Sequence, residues 1–182
     1  MVITVATAQE AQKPIFKLAL GAVFAALVCV VTISFVIPIP ATSGYFNLGE
    51  SAIYIAALTF GPLVGAFAGG GAAIADIIVP FGFPFAPGTL VIKSIEGALV
   101  GIINNKLKQK TSSVTLSATI SVIVGGLEMV AGYFLYEQLV LGYPLAAALA
   151  EVPFNIVQMI VGLVVAVPVM HAIMRVFPQL KS

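Results

Sequence analysis

Six ionisable side chains lie inside segments that are otherwise apolar enough to contact lipid. An ionisable group at membrane depth is costly, so it persists where it faces the protein interior or a water-filled cavity, usually beside a partner. The spacing of these groups therefore predicts where the protein binds a polar solute. They are Glu50, Asp76, Lys93, Glu96, Glu128 and Glu151.

The composition identifies the class of protein. The chain has 182 residues, of which 60% are hydrophobic and 8% charged, and its mean hydropathy is +1.14. Soluble domains carry about 25% charged residues, so the sequence predicts an integral membrane protein. The net charge of +1 and the scattered basic residues predict no nucleic-acid partner.

Apolar runs separated by Gly, Pro and polar breaks predict an all-α fold with six transmembrane helices in a single domain covering residues 1–182. Residues 1–14 are predicted to be an N-terminal lead-in, frayed or lying at the membrane surface. The second helix is short for a full crossing unless the bilayer is locally thinned. The predicted helices cover residues 15–36, 48–60, 62–79, 88–107, 114–139 and 147–177.

The basic residues predict the orientation of these helices. The connections at residues 38–47, 80–87 and 140–146 contain no Lys or Arg. Because cytoplasmic loops are enriched in Lys and Arg, these three connections are expected outside, with both termini in the cytoplasm. The basic residues expected at the cytoplasmic ends are Lys13, Lys17, Lys106, Lys108, Lys110, Arg175 and Lys181.

Polar side chains of several predicted helices fall at similar depths. With a rise of about 1.5 Å per residue, Lys93 lies about 7 Å and Glu96 about 12 Å from the outer start of the fourth helix. Asn155 and Gln158 lie roughly 10 to 16 Å down the sixth helix. This convergence favours a solute site in the outer half of the membrane. The predicted substrate-binding residues are Lys93, Glu96, Glu128, Asn155 and Gln158, with Glu50, Asp76 and Tyr133 as further candidates.

Simpler interpretations of the same residues remain open. Glu50, Asp76 and Glu151 lie near helix ends, where capping or an interfacial position explains them as well as binding does. Stripes of Gly and Ala are ordinary surfaces for helix packing. A structural network of buried ion pairs without any ligand is the other alternative, and its members would be Lys93, Glu96 and Glu128.

The sequence offers little for catalysis or for a metal. It contains no P-loop motif, so we expect no ATP site of that kind in this chain. One histidine, His171, and one cysteine, Cys29, do not supply a familiar zinc site. We therefore expect no metal, no cofactor and no enzymatic activity.

Four segments carry a resemblance to a known family. Residues 47–51 (NLGES), 60–66 (FGPLVGA), 69–76 and 92–97 (IKSIEG) resemble the S components of energy-coupling factor (ECF) vitamin transporters, and more narrowly the riboflavin-type group. The resemblance implies a multi-pass subunit of a prokaryotic plasma membrane that captures a vitamin or vitamin precursor from outside. It also implies two kinds of partner, a transmembrane coupling subunit and two cytoplasmic ABC-type ATPases.

The same resemblance assigns residues to two surfaces. By position, Asn47 would bind substrate from the loop over the ligand. Small residues on the first helix would contact the coupling subunit, because they let another helix approach closely. These partner-docking residues are Gly21, Ala22, Ala25 and Ala26.

Several substrates and two other functions remain compatible with the sequence. The many carboxylates favour a ligand with hydrogen-bond donors or a positive charge, such as a thiamine precursor or pyridoxine, and the subgroup resemblance keeps riboflavin. One alternative is a proton-coupled secondary carrier in which Glu96 or Glu128 takes up the proton. The other is a structural membrane subunit with a buried ion-pair network.

Overall fold

A computed structural model describes the backbone of residues 2–178 and the side chains of residues 14–178. Over this range the chain forms six helices and one short hairpin. The side chain of Lys13 and all of Lys181, both predicted at the cytoplasmic side, lie outside these described parts. The elements are α1 (Val2–Ser34), β1 (Val36–Pro38), β2 (Tyr45–Asn47), α2 (Gly49–Phe60), α3 (Pro62–Ile78), α4 (Ala86–Lys108), α5 (Val114–Leu139) and α6 (Leu145–Val176).

The observed helix ends lie within two residues of the predicted ones, except at the start of α1. There the backbone is helical from Val2, whereas the sequence predicted a lead-in through residue 14. Ala, Gln, Glu and Lys dominate residues 6–13, and all four are good helix formers. The part of α1 that is long and apolar enough to cross a membrane is Pro14–Ser34.

The hairpin between α1 and α2 was not predicted. Its strands pair antiparallel, with Val36 opposite Asn47 and Pro38 opposite Tyr45. Each strand has three residues, too few for an alternating pattern to show in the sequence, although Val, Ile, Tyr and Phe are all enriched in strands. Within residues 2–178 this hairpin is therefore the only β-structure.

Two of the six helices are shorter than a membrane is thick. α1, α4, α5 and α6 each contain a stretch long and apolar enough to span. The 12 residues of α2 give a length of about 18 Å, against a hydrocarbon core of about 30 Å. Ten of those 12 residues are buried, so α2 is an internal helix surrounded by the others, which explains why it is apolar on all sides.

Glycines bring α3 and α4 into direct backbone contact. A Cβ atom on Gly69 would overlap the carbonyl of Lys93, and one on Gly97 would overlap the carbonyl of Gly65. The packing interpretation of the small-residue stripe on α3 therefore accounts for these positions. This close approach also fixes the backbone that carries Lys93 and Glu96 in the interior of the bundle.

Candidate ligand-binding site

A polar cavity lies where the hairpin covers one end of the helix bundle. In this structure its volume is about 30 Å³, well below the range of about 300–1,000 Å³ for ligand pockets, so a vitamin-sized ligand would need the surrounding groups to move apart. Its walls come from the hairpin and its turn, the end of α3, the start of α4, the end of α5 and the start of α6. The lining residues are Gly44, Tyr45, Asn47, Asp76, Phe85, Thr89, Tyr133, Glu151, Asn155 and Gln158.

The hairpin is tied to the helices by hydrogen bonds. The phenol of Tyr45 donates to Asp76, and the Thr42 hydroxyl donates to Glu151. Burial, together with the adjacent Asp76 carboxylate, raises the pKa of Tyr45, which keeps the phenol protonated as a donor. A Cβ atom on Gly44 would overlap the Glu151 carboxylate, so a glycine is needed for the turn to close over α6.

A buried ion-pair network lies directly behind this cavity. The Lys93 ammonium forms an ion pair with Glu50, and it lies 3.5 Å from a carboxylate oxygen of Glu96. The phenol of Tyr54 donates to Glu96 at 2.7 Å. Glu50, Lys93 and Glu96 are at most 3% exposed. Two carboxyl groups thus share one ammonium in the protein interior. Removing any of these partners would leave a buried charge uncompensated, which is strongly destabilising.

Gln158 connects this network to the cavity and to the hairpin. Its amide nitrogen donates to Glu50 at 3.1 Å, and its amide oxygen accepts from the backbone N–H of Asn47 at 3.0 Å. Because one bond needs the amide nitrogen and the other the amide oxygen, the two together fix which way the Gln158 amide faces. Because Gln158 also lines the cavity, a change in the Glu50–Lys93 pair would reach the cavity through this side chain.

The cavity combines aromatic walls with polar groups. Tyr133 forms a 2.8 Å hydrogen bond with Thr89, and its ring lies 5.5 Å from the Lys93 ammonium. Oδ2 of Asp76 is buried and has no hydrogen-bond partner among the described residues. A buried carboxylate oxygen without a partner is costly, so a ligand donor would satisfy it. The arrangement suits a flat ring that carries an N–H group at its edge.

The nine substrate-binding candidates from the sequence fall into three groups. Five of them line the cavity. Three others, Glu50, Lys93 and Glu96, form the network behind it. Glu128 is half-buried on α5 and does not line the cavity, although one of its carboxylate oxygens is buried without a partner among the described residues. The five lining residues are Asn47, Asp76, Tyr133, Asn155 and Gln158.

The predicted ion-pair network contains one different member. Lys93 contacts Glu96 as expected from their i,i+3 spacing, but its other partner is Glu50 on α2, whereas the sequence suggested Glu128. Glu50 is 1% exposed, so it is neither a solvated cap nor an interfacial residue. The pairing depends on how α2 packs against α4, which helix spacing alone does not specify.

The sequence interpretation missed several residues of the site. Phe85 and Thr89 line the cavity, as does Glu151, which had been explained equally well as a helix-end residue. Glu137 was overlooked, although it is fully buried next to Glu151, with neither carboxylate oxygen bonded to a described residue. Its signal in the sequence was the one used for the other carboxylates, an acidic residue within a predicted apolar helix.

The four predicted docking residues of α1 point in different directions. Gly21 packs against α3, since a Cβ added to it would lie 2.9 Å from the Phe67 side chain. The backbone of Ala25 also contacts α3, at Gly71. Ala22 and Ala26 are exposed. Part of the small-residue pattern thus serves packing inside the subunit, and the other part forms an open surface.

Comparisons with known proteins gave matches over most of the chain. The family model described as ECF-type riboflavin transporter, S component, matches residues 13–175. The thiamine precursor transporter HmpT of Lactococcus lactis subsp. cremoris (strain MG1363) is 35% identical over 157 residues, which are 85% of each chain. An uncharacterized protein in gap 3'region of Pyrococcus woesei is 40% identical over 140 residues, 76% of this chain and 88% of that one.

A solved structure shares the fold. It is the S component of a bacterial ECF transporter, with a TM-score of 0.66 at 18% sequence identity. The match covers 91% of this chain and 99% of that one. At this level of identity the likeness concerns the arrangement of the helices.

Proposed function

The chain belongs to the family of ECF-type riboflavin transporter S components, and we propose that its cavity binds a water-soluble vitamin or vitamin precursor for uptake. The observation that carries this proposal is Oδ2 of Asp76, which lies in an aromatic-walled cavity and has no hydrogen-bond partner among the described residues. The protein acts as a binding subunit without catalytic chemistry of its own. ATP hydrolysis would come from two cytoplasmic ABC-type ATPases, through a membrane-embedded coupling subunit.

The substrate we propose is a flat heterocycle with an amino group, of the thiamine-precursor type. Asp76 and Glu151 supply acceptors for N–H donors, and the rings of Tyr45, Phe85 and Tyr133 supply flat apolar faces. The relative HmpT, named as a thiamine precursor transporter, supports the same class. Riboflavin is the second candidate, because the matching family model is described by it.

The distribution of charge supports an orientation with the cavity outside. The cavity lies at the end of the bundle formed by the hairpin, whereas the basic residues Lys106, Lys108 and Arg175 lie at the opposite end. By the positive-inside rule, that basic end would face the cytoplasm, as would both termini. In this proposal all six helices form one membrane domain in a prokaryotic plasma membrane, with α2 enclosed by the others.

A ligand panel tests the substrate proposal. Purified protein, stripped of bound ligand, would be heated with riboflavin, thiamine, its aminopyrimidine precursor, pyridoxine and biotin. At about 100 times its Kd, the true ligand stabilises the fold by about 2.7 kcal/mol. We expect the aminopyrimidine to give the largest shift, and biotin none, since its carboxylate would meet Asp76 and Glu151. Silence across the panel would favour a structural subunit, and a riboflavin shift alone would select the second candidate.

The exposed alanines of α1 test the proposed partner. Changing Ala22 and Ala26 to Leu should lower ATP-driven uptake about tenfold, equivalent to about 1.4 kcal/mol of docking free energy, because bulk there keeps a partner helix away. Ligand binding by the isolated subunit should not change. Uptake would be measured with the complete transporter, and copurification of the coupling subunit would be scored beside it.

Ala131 provides the matched control. It is an exposed alanine on α5, so Ala131→Leu adds the same bulk to another outer face. Normal uptake by the Ala22→Leu/Ala26→Leu variant would overturn the docking assignment. Equal losses in both variants would show that any added bulk on the outer surface interferes.

A further inference from the structure

A second pocket lies at the end of the bundle opposite the cavity. Its volume is about 450 Å³, and it is lined by Lys108 at the end of α4, Val114 at the start of α5, and His171, Met174 and Arg175 near the end of α6. Two of these helices, α4 and α6, thus bring an ammonium, a guanidinium and an imidazole to one concave surface. The vitamin-binding function proposed above uses none of these groups.

The charge in this pocket is not balanced by any carboxylate within residues 14–178. The ion pairs formed within residues 14–178 are those of Lys93 with Glu50 and Glu96, so Lys108 and Arg175 have no carboxylate partner in that range. The N-terminus of α5 adds positive potential at Val114, because its first N–H groups lack partners within the helix. The pocket is therefore electropositive and suits an anion.

The geometry of the pocket limits which anion fits. His171 is held by a 2.9 Å hydrogen bond to Thr115, and Lys108 is half-buried. Val114 and the buried Met174 form an apolar wall. Leu116 follows Val114 by two residues, and Val176 follows Met174 by two. Both are more than half exposed, so they offer apolar surface near the same ends of α5 and α6. Cationic groups beside an exposed apolar surface match a molecule with an anionic head and a hydrocarbon tail.

We propose that this pocket binds the phosphate group of an anionic phospholipid. Basic pockets between transmembrane helices recognise such headgroups through the charge of the phosphate and its oxygens. Lys108 and Arg175 would contact the phosphate, His171 would add a hydrogen bond, and the acyl chains would lie along Leu116 and Val176. The proposal holds whichever leaflet this end of the bundle occupies.

The test compares lipids on the purified, delipidated protein. Phosphatidylglycerol should raise the melting temperature more than phosphatidylcholine does, and native mass spectrometry should show a retained phosphatidylglycerol molecule. In Lys108→Gln/Arg175→Gln both effects should be mostly lost. The matched control is Lys106→Gln/Lys110→Gln, which removes two exposed lysines at the same end and should keep both.

Each other outcome would overturn the proposal. Equal losses in the two double variants would indicate general attraction of an anionic lipid surface to basic residues. A stabilisation reproduced by inorganic phosphate without lipid would assign the pocket to a soluble anion. Retention of phosphatidylglycerol by Lys108→Gln/Arg175→Gln would exclude the pocket as its site. Arg175→Lys keeps the charge, so its bound lipid should persist, and loss there would show that the pocket does not act through charge.

Discussion

Lys93→Met is expected to lower the free energy of unfolding by about 3–5 kcal/mol, the cost of removing one partner of a buried ion pair. The loss arises because Glu50 and Glu96 keep their buried positions but lose the ammonium that they share. Methionine matches the length of the lysine stem, so the apolar packing is largely kept. The measurement is denaturant or thermal unfolding of the purified protein without ligand.

A double variant separates charge from packing. Adding Glu50→Gln to Lys93→Met removes one of the two orphaned carboxylates, so we expect part of the stability to return. Lys106→Met at an exposed position should change the stability by less than about 0.5 kcal/mol. A loss below 1 kcal/mol for Lys93→Met, on the order of an exposed ion pair, would contradict the buried network. A double variant less stable than Lys93→Met would show that Glu50 contributes through its hydrogen bond to Gln158.

Those helices that show as long apolar runs bounded by breaks could be predicted from the sequence. Gly61 ends α2 and Pro62 starts α3. Proline fits the first turn of a helix, and Gly61 has a φ of +91°, a backbone conformation that favours glycine. The hairpin could not be predicted in this way. Its strands are three residues long, and they are held by side-chain bonds from Thr42 and Tyr45 to distant helices.

For the candidate site too, one feature could be predicted from the sequence and another could not. Depth along a helix follows from the rise per residue, and it placed polar groups of several helices at one level. Rotation of each helix about its axis depends on packing, and there the sequence was less informative. Lys93 contacts Glu50, 43 residues away along the chain, whereas Glu128 lies off the cavity. Glycines that allow α3 to touch α4 set this rotation, and their role becomes clear only in three dimensions.

Asp76→Asn is expected to weaken ligand binding by about 10- to 100-fold, or about 1.4–2.7 kcal/mol. The amide oxygen of the asparagine would still accept the hydrogen bond from the Tyr45 phenol. The amide nitrogen would then replace Oδ2, which has no partner among the described residues, and would face the ligand's own donor. A hydrogen bond to a charged group contributes about 1.5–3 kcal/mol, which sets the expected size of the loss. The measurement is calorimetric titration with the ligand identified by the panel.

Glu128→Gln is the matched comparison, because it makes the same change from carboxylate to amide outside the cavity lining. We expect it to leave the affinity within about threefold, well under 1.4 kcal/mol, while Asp76→Asn keeps its melting temperature without ligand. If the two variants lost affinity equally, the carboxylates would act on the ligand through long-range charge. If only Glu128→Gln lost affinity, the ligand would lie deeper along α5 than the cavity, and the sequence-based assignment of Glu128 to the substrate would be favoured over the geometry.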